Sequence, residues 1–133
     1  MQTMRVPWMM SSAVDARRAL VSELRARGVD PVVVDEAEIV ISELVTNAVR
    51  HAKPLADGKI RVNWSVRGGV VEIDVTDGGG PTTPRPAPSS VWSAGGRGLR
   101  IVGSLAHEWG VRENDNGSTV WASMGGPSSR HSP

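Results

Sequence analysis

A helical pattern of apolar residues runs without interruption from Val33 through Ala37, Val40, Leu44 and Ala48 to Ala52, the longest periodic stretch in the chain. Asp30 followed by Pro31 starts it as an N-cap with a first-turn proline, and Pro54 ends it. Ile41, Leu44, Val45, Ala48 and Val49 give the helix an apolar side to set against a sheet. Glu43, Asn47 and His51 recur at four-residue spacing, which lines up a carboxylate, an amide and an imidazole on one face. Such a stripe reads as solvated surface or as the wall of a site. The helix alone leaves both readings open.

The remaining pattern supplies the partners of that helix. Met4 to Met10 is short and apolar with Pro7 inside it, which predicts an edge strand, because proline cannot donate to a central ladder. Ser11 or Ser12 then caps a helix from about Ala13 to Arg27, stopped by Gly28. Ile60, Val62, Trp64 and Val66 alternate with polar residues, Arg67-Gly68-Gly69 turns the chain, and Val71, Ile73 and Val75 continue the alternation, so the two strands form a hairpin. The same alternation puts Asp77 on the apolar face. A carboxylate there is costly unless something pairs with it, and taken on its own the simpler reading is an Asp that opens the turn at Gly78-Gly79-Gly80.

Pro81 to Ala94 holds four prolines and no periodicity, a connection of lid type. Gly95-Gly96-Arg97-Gly98 closes it, and Leu99 to Leu105 reads as a short helix. A glycine-rich turn entering a helix presents backbone amides to an anion. Two strands follow, at His107 to Glu113 and Ser118 to Met124, with the segment 125–133 expected to be a disordered tail. Residues 1–124 are thus expected to form a single domain, with a lid over about 78–98.

Composition narrows the function classes. With no cysteine, the chain has no disulfide, thiolate metal site or cysteine nucleophile, which favours a reducing cytoplasm. A net charge of +1, with the arginines scattered rather than massed, gives no broad field for nucleic acid or a membrane surface. No segment approaches the roughly 20 apolar residues of a membrane span or the core of a signal peptide. The expectation is a cytoplasmic protein that binds neither. Five Trp with no Phe or Tyr leave the core to aliphatic residues.

Three polar clusters stand in order: Glu43 with Asn47, Asp77 before three glycines, and the Gly96-Arg97-Gly98 turn. A Walker loop ends in Gly-Lys-Ser/Thr, whereas Gly98 is followed by Leu99, and a dinucleotide fingerprint needs glycine where Ile101 stands. Taken together, the clusters resemble the GHKL (Bergerat-fold) ATPase and kinase superfamily, most closely its anti-sigma-factor serine/threonine kinase branch. Glu43-Leu44-x-x-Asn47-Ala48-x-x-His51-Ala52 resembles the N box, Asp77-Gly78-Gly79 the first glycine box, Gly96-Arg97-Gly98-Leu99 the second, and Gly117-Ser118-Thr119-Val120 the closing strand. The sequence departs from the family at Pro81, where the first box ends in glycine.

The resemblance implies an α+β fold: a two-layer α/β sandwich with a mixed, mainly antiparallel sheet covered by three helices. It implies ATP and Mg²⁺ as cofactors. Asn47 would ligate the metal through its amide oxygen. Glu43 would act as the catalytic base on the attacking hydroxyl. Asp77 would accept from the adenine amino group, with Gly79 admitting the base. Gly96, Arg97, Gly98 and Leu99 would meet the phosphates, and Thr119 the adenine region. His51 reads equally as a packed or capping histidine and as part of the site. The function implied is an anti-sigma factor with serine/threonine kinase activity, phosphorylating a STAS-type anti-anti-sigma protein and sequestering a sigma factor. The alternative is an ATP-binding regulatory module that controls a partner without phosphoryl transfer. Homodimers are common among similar kinases, and no receiver or sensor segment accompanies the pattern.

Overall fold

The computed structural model describes residues 1–79, 97–114 and 117–125, apart from the side chains of 97–99 and 114. Residues 80–96, where the sequence leads one to expect a lid and which include Pro81 and Gly96, and residues 126–133, where a tail is expected, lie outside the described residues.

Strand β1 (Gln2–Pro7) leads into helices α1 (Ser12–Ala26) and α2 (Pro31–His51), then strands β2 (Lys59–Arg67) and β3 (Val70–Asp77), helix α3 (Arg97–Leu105) and strands β4 (Glu108–Asn114) and β5 (Gly117–Gly125). The strands form one sheet in the order β1-β2-β3-β5-β4. All four ladders are antiparallel, the pure form of the mainly antiparallel sheet expected. β1 is an edge strand ending at Pro7, so the proline removes no ladder bond from a central position.

Local chemistry explains most boundaries. Asp30 Oδ1 accepts from Val32 N at 2.9 Å, the predicted N-cap of α2. The start of α1 differs from expectation: Ser11 occupies the N-cap without a side-chain cap bond, and Ser12 Oγ donates to the Pro7 carbonyl at 2.6 Å, tying the helix start to β1. Gly68 and Gly69 have φ of 58° and 83°, the pair of positive values that a two-residue hairpin matching the sheet twist requires. β5 continues to Gly125, which pairs with Val70, so this residue belongs to the sheet and not to a tail.

The helices form one layer over one sheet face. α1 packs on β1 and β2, α2 on β3 and β5, and α3 on β4, with α1 and α3 each against α2. Leu20 and Leu24 of α1, Ile41 and Leu44 of α2, and Ile60, Ile73 and Met124 of the sheet are buried between the layers. Each such side chain contributes about 1.5–3 kcal/mol of burial free energy. The other sheet face is polar: Asn63 Nδ2 donates to Asp74 Oδ1 at 2.8 Å, and the Thr76 and Thr119 hydroxyls meet at 2.8 Å. The long helical pattern that dominates the sequence is therefore the middle helix, and its flanks differ in what they meet.

Candidate active site

α2 pairs with α1 through Glu38, whose carboxylate lies 3.6 Å from Arg17 Nε. Glu43 follows five residues later, about 140° around a helix of 3.6 residues per turn. Glu43 and Asn47 accordingly lie on the opposite flank of α2, toward the α3 side. Glu43 and His51 are half-buried, while Asn47 is only 6% exposed. Among the described residues the Asn47 amide makes no hydrogen bond. Among the described residues this near-buried amide is thus left with hydrogen-bonding capacity to offer.

Asp77 ends β3 on the inner face at 2% exposure. Burial pushes its carboxyl up from 3.8 to about 6, offset in part by the Gly79 amide and reinforced by the nearby charge of Glu113. Gly79 N donates to Asp77 Oδ1 at 2.8 Å, and no other hydrogen-bond partner of this carboxylate stands among the described residues. As far as the described residues go, the second oxygen is thus available as an acceptor. Asp77 does open the turn, as the simpler sequence reading has it, yet that bond occupies only one of its oxygens.

Directly across the ladder from Asp77 stands Ser118, 4% exposed, its Oγ buried with no partner. Thr119, the residue expected at the adenine, pairs with Thr76 and hydrogen-bonds to it on the outer face. Strand alternation forces this correction, because neighbours in a strand point to opposite sides. Ser118, Val120, Ala122 and Met124 share the inner face, and counting back from those apolar residues identifies Ser118. His51 Nε2 is a further buried nitrogen without a partner.

A short backbone bridge joins the ends of α2 and β3. Gly78 N donates to the Lys53 carbonyl at 2.7 Å, and Lys53 N donates to the Gly79 carbonyl at 3.0 Å. A Cβ on Gly78 would collide with the Pro54 carbonyl oxygen, so glycine is required for this approach. The bridge brings the C-terminal end of α2, with Asn47 one turn behind it, to the end of the strand that carries Asp77. Gly78→Ala is expected to destabilise the fold by about 1–3 kcal/mol, the usual cost of overpacking. Urea denaturation checks this, and an unchanged midpoint would show that the 53–54 segment yields freely.

Gly79, at φ 95°, follows the bridge. The helix after the second glycine box starts two residues earlier than the expected Leu99: α3 begins at Arg97, so Arg97, Gly98 and Leu99 form its first turn, while Gly96 lies outside the described residues. First-turn amides lack intrahelical acceptors, so this start still offers donors to an anion.

No group of three His, Cys, Asp or Glu side chains able to hold a metal occurs among the described residues. Mg²⁺ usually takes one or two protein oxygens and completes its octahedron with phosphate and water. The Asn47 amide, without a hydrogen-bond partner among the described residues and one turn from the Glu43 carboxylate, fits a metal that arrives with a nucleotide.

Over residues 9–124 the chain matches the family described as histidine kinase-like ATPase domain. None of the curated proteins matches it. Among solved structures it is similar to the crystal structure of the RsbU and RsbW domains of Rv1364c from Mycobacterium tuberculosis, with a TM-score of 0.70 and 23% identity, covering 93% of this chain and 32% of that one. This chain thus spans about a third of that structure's length, and the likeness is one of fold. No helix among the described residues is long and apolar enough to cross a membrane. The chain belongs to the histidine kinase-like ATPase domain family.

Proposed function

We propose that this histidine kinase-like ATPase domain is an anti-sigma factor with serine/threonine kinase activity, transferring the γ-phosphoryl group of ATP to a STAS-type anti-anti-sigma protein and sequestering a sigma factor. The observation that carries the nucleotide part is the polar end of an otherwise apolar layer: Asp77 with an uncommitted oxygen, opposite the partnerless Ser118 hydroxyl. Leaving such groups buried costs stability, and a ligand that satisfies them recovers it. An adenine ring donates from its amino group to Asp77 and accepts from Ser118. The phosphates extend toward α2 and the first turn of α3.

In the transfer step the substrate hydroxyl oxygen bonds to the γ-phosphorus, the bond from that phosphorus to the β–γ bridging oxygen breaks, and ADP leaves. Glu43 takes the hydroxyl proton. Asn47 would hold the Mg²⁺, which when bound would offset the phosphate charge. Glu43 is the feature that favours a kinase over a module that only binds ATP, because such a module has less use for a base beside the metal ligand. The fold resembles a structure that includes an RsbW domain, which supports a regulatory role of this kind.

Calorimetric titration with ATP tests the site. Binding should be saturable and assisted by Mg²⁺. Asn47→Ala should lose roughly tenfold in affinity, about 1.4 kcal/mol, with the metal present and much less without it. An equal loss in both conditions would assign Asn47 a structural role, and no binding by folded protein would overturn the nucleotide reading.

A further inference from the structure

The fold gathers arginines that the sequence scatters. Arg17, Arg18 and Arg25, with Val21 and Ser22 of α1 and Glu38 of α2, line a groove of about 430 Å³ between the two helices. At 3.6 residues per turn these α1 positions fall along one flank, and Ala16, Leu20 and Leu24, each fully buried, face the core instead. Arg17 approaches Glu38 at 3.6 Å, both side chains 38% exposed. Arg18 and Arg25 have no carboxylate partner among the described residues.

Three guanidinium groups against one carboxylate is a local excess in a chain whose net charge is only +1. An exposed pair such as Arg17–Glu38 adds little stability, so the fold does not depend on the cluster. Glu38 lies on the flank of α2 turned away from Glu43 and Asn47, which places the groove apart from the nucleotide site. Guanidinium forks match carboxylates and phosphates alike. Glu38 decides between them: a uniformly anionic nucleic-acid backbone meets repulsion at that wall, whereas a protein segment can set a basic residue against it. The chain also lacks the wide positive field that nucleic acid requires.

We propose that this groove docks an acidic segment of a partner protein, its carboxylates on Arg18 and Arg25 and one basic residue against Glu38. The proposal rests on the reading of this domain as a regulator of a protein partner. It gives α2 a division of labour, with chemistry on one flank and recognition on the other.

The test titrates the isotope-labelled full chain with a synthetic helical peptide carrying Glu and Asp along one face and a single Lys. A charge-inverted peptide and a single-stranded oligonucleotide serve as controls, and ATP affinity is measured on the same protein. Amide shifts should concentrate between Arg17 and Arg25 and around Glu38. Arg18→Glu combined with Arg25→Glu should weaken the peptide by roughly tenfold or more, with ATP affinity unchanged. The proposal is overturned by absent shifts, by shifts centred elsewhere, by a variant that binds as tightly, or by tighter binding of the oligonucleotide. If the wild-type chain took the peptide and not ATP, the groove would stand and the nucleotide reading would fall, so the two failures separate.

Discussion

Asp77→Asn should produce a protein that is more stable than the parent above pH 6 and weaker in holding ATP. The Asp77 carboxyl is raised from 3.8 to about 6, so the folded state binds this proton more tightly than the unfolded chain does. Stability from this residue is therefore greatest below about pH 4, falls as the pH rises toward about 6, and is level beyond it. The whole difference corresponds to about 3 kcal/mol. Asparagine keeps an oxygen for the Gly79 amide and has no charge to desolvate, so up to about that amount returns in the variant at pH 8. Denaturation midpoints measured at pH 4 and pH 8 should diverge in the parent and converge in the variant.

The same substitution removes the second acceptor oxygen and puts an amide donor in its place, facing the adenine amino group. The expected loss of ATP affinity is on the order of 1–3 kcal/mol, roughly fivefold to 150-fold. Parent affinity should also fall as the pH drops below about 6 and Asp77 takes up its proton, while the variant's stays flatter. A variant that lost stability at pH 8 and kept full affinity would remove Asp77 from the site. Stability and binding moving in opposite directions is what separates a functional carboxylate from a structural one.

Much of this architecture was legible because local signals agreed with one another. Asp30-Pro31 marks the start of α2, the apolar period carries it to His51, and Gly68-Gly69 joins β2 to β3. The inward phase of Asp77 followed from alternation alone. Thr119 shows where motif transfer and strand phase conflict: the motif includes both Ser118 and Thr119, and the inward phase of Val120, Ala122 and Met124, together with the pairing of Ser118 with Asp77, decides between them. Gly78 read as one glycine among three, because Pro54, the group that forbids its side chain, is brought there by the fold. The arginine groove was invisible for the same reason, since Glu38 belongs to a different helix. Ser12 likewise read as a cap, whereas its hydroxyl reaches back to the Pro7 carbonyl.

Glu43→Ala should reduce phosphoryl transfer to a STAS-type partner by about 10²- to 10⁴-fold, the range that one positioned general base contributes. ATP affinity should change little, because in the proposed mechanism Glu43 meets the attacking hydroxyl and neither the adenine nor the metal. The fold should tolerate the change: Glu43 is only half-buried, and alanine is a better helix former than glutamate. Glu43→Gln sharpens the result. It keeps the size and hydrogen-bonding capacity of the side chain while removing its ability to take a proton, so a base requires both variants to fail. Transfer retained by Glu43→Gln and lost in Glu43→Ala would mean that Glu43 only orients the hydroxyl. Full transfer by both would shift catalysis to positioning by the phosphate-binding amides, with the family assignment intact. Radiolabel from γ-labelled ATP appearing on the partner with parent protein, and not with either variant, is the outcome expected of a kinase. If the parent itself binds ATP and transfers nothing to any STAS-type protein supplied, the stripe on α2 serves a binding module, and release or capture of the partner becomes the quantity that ATP controls.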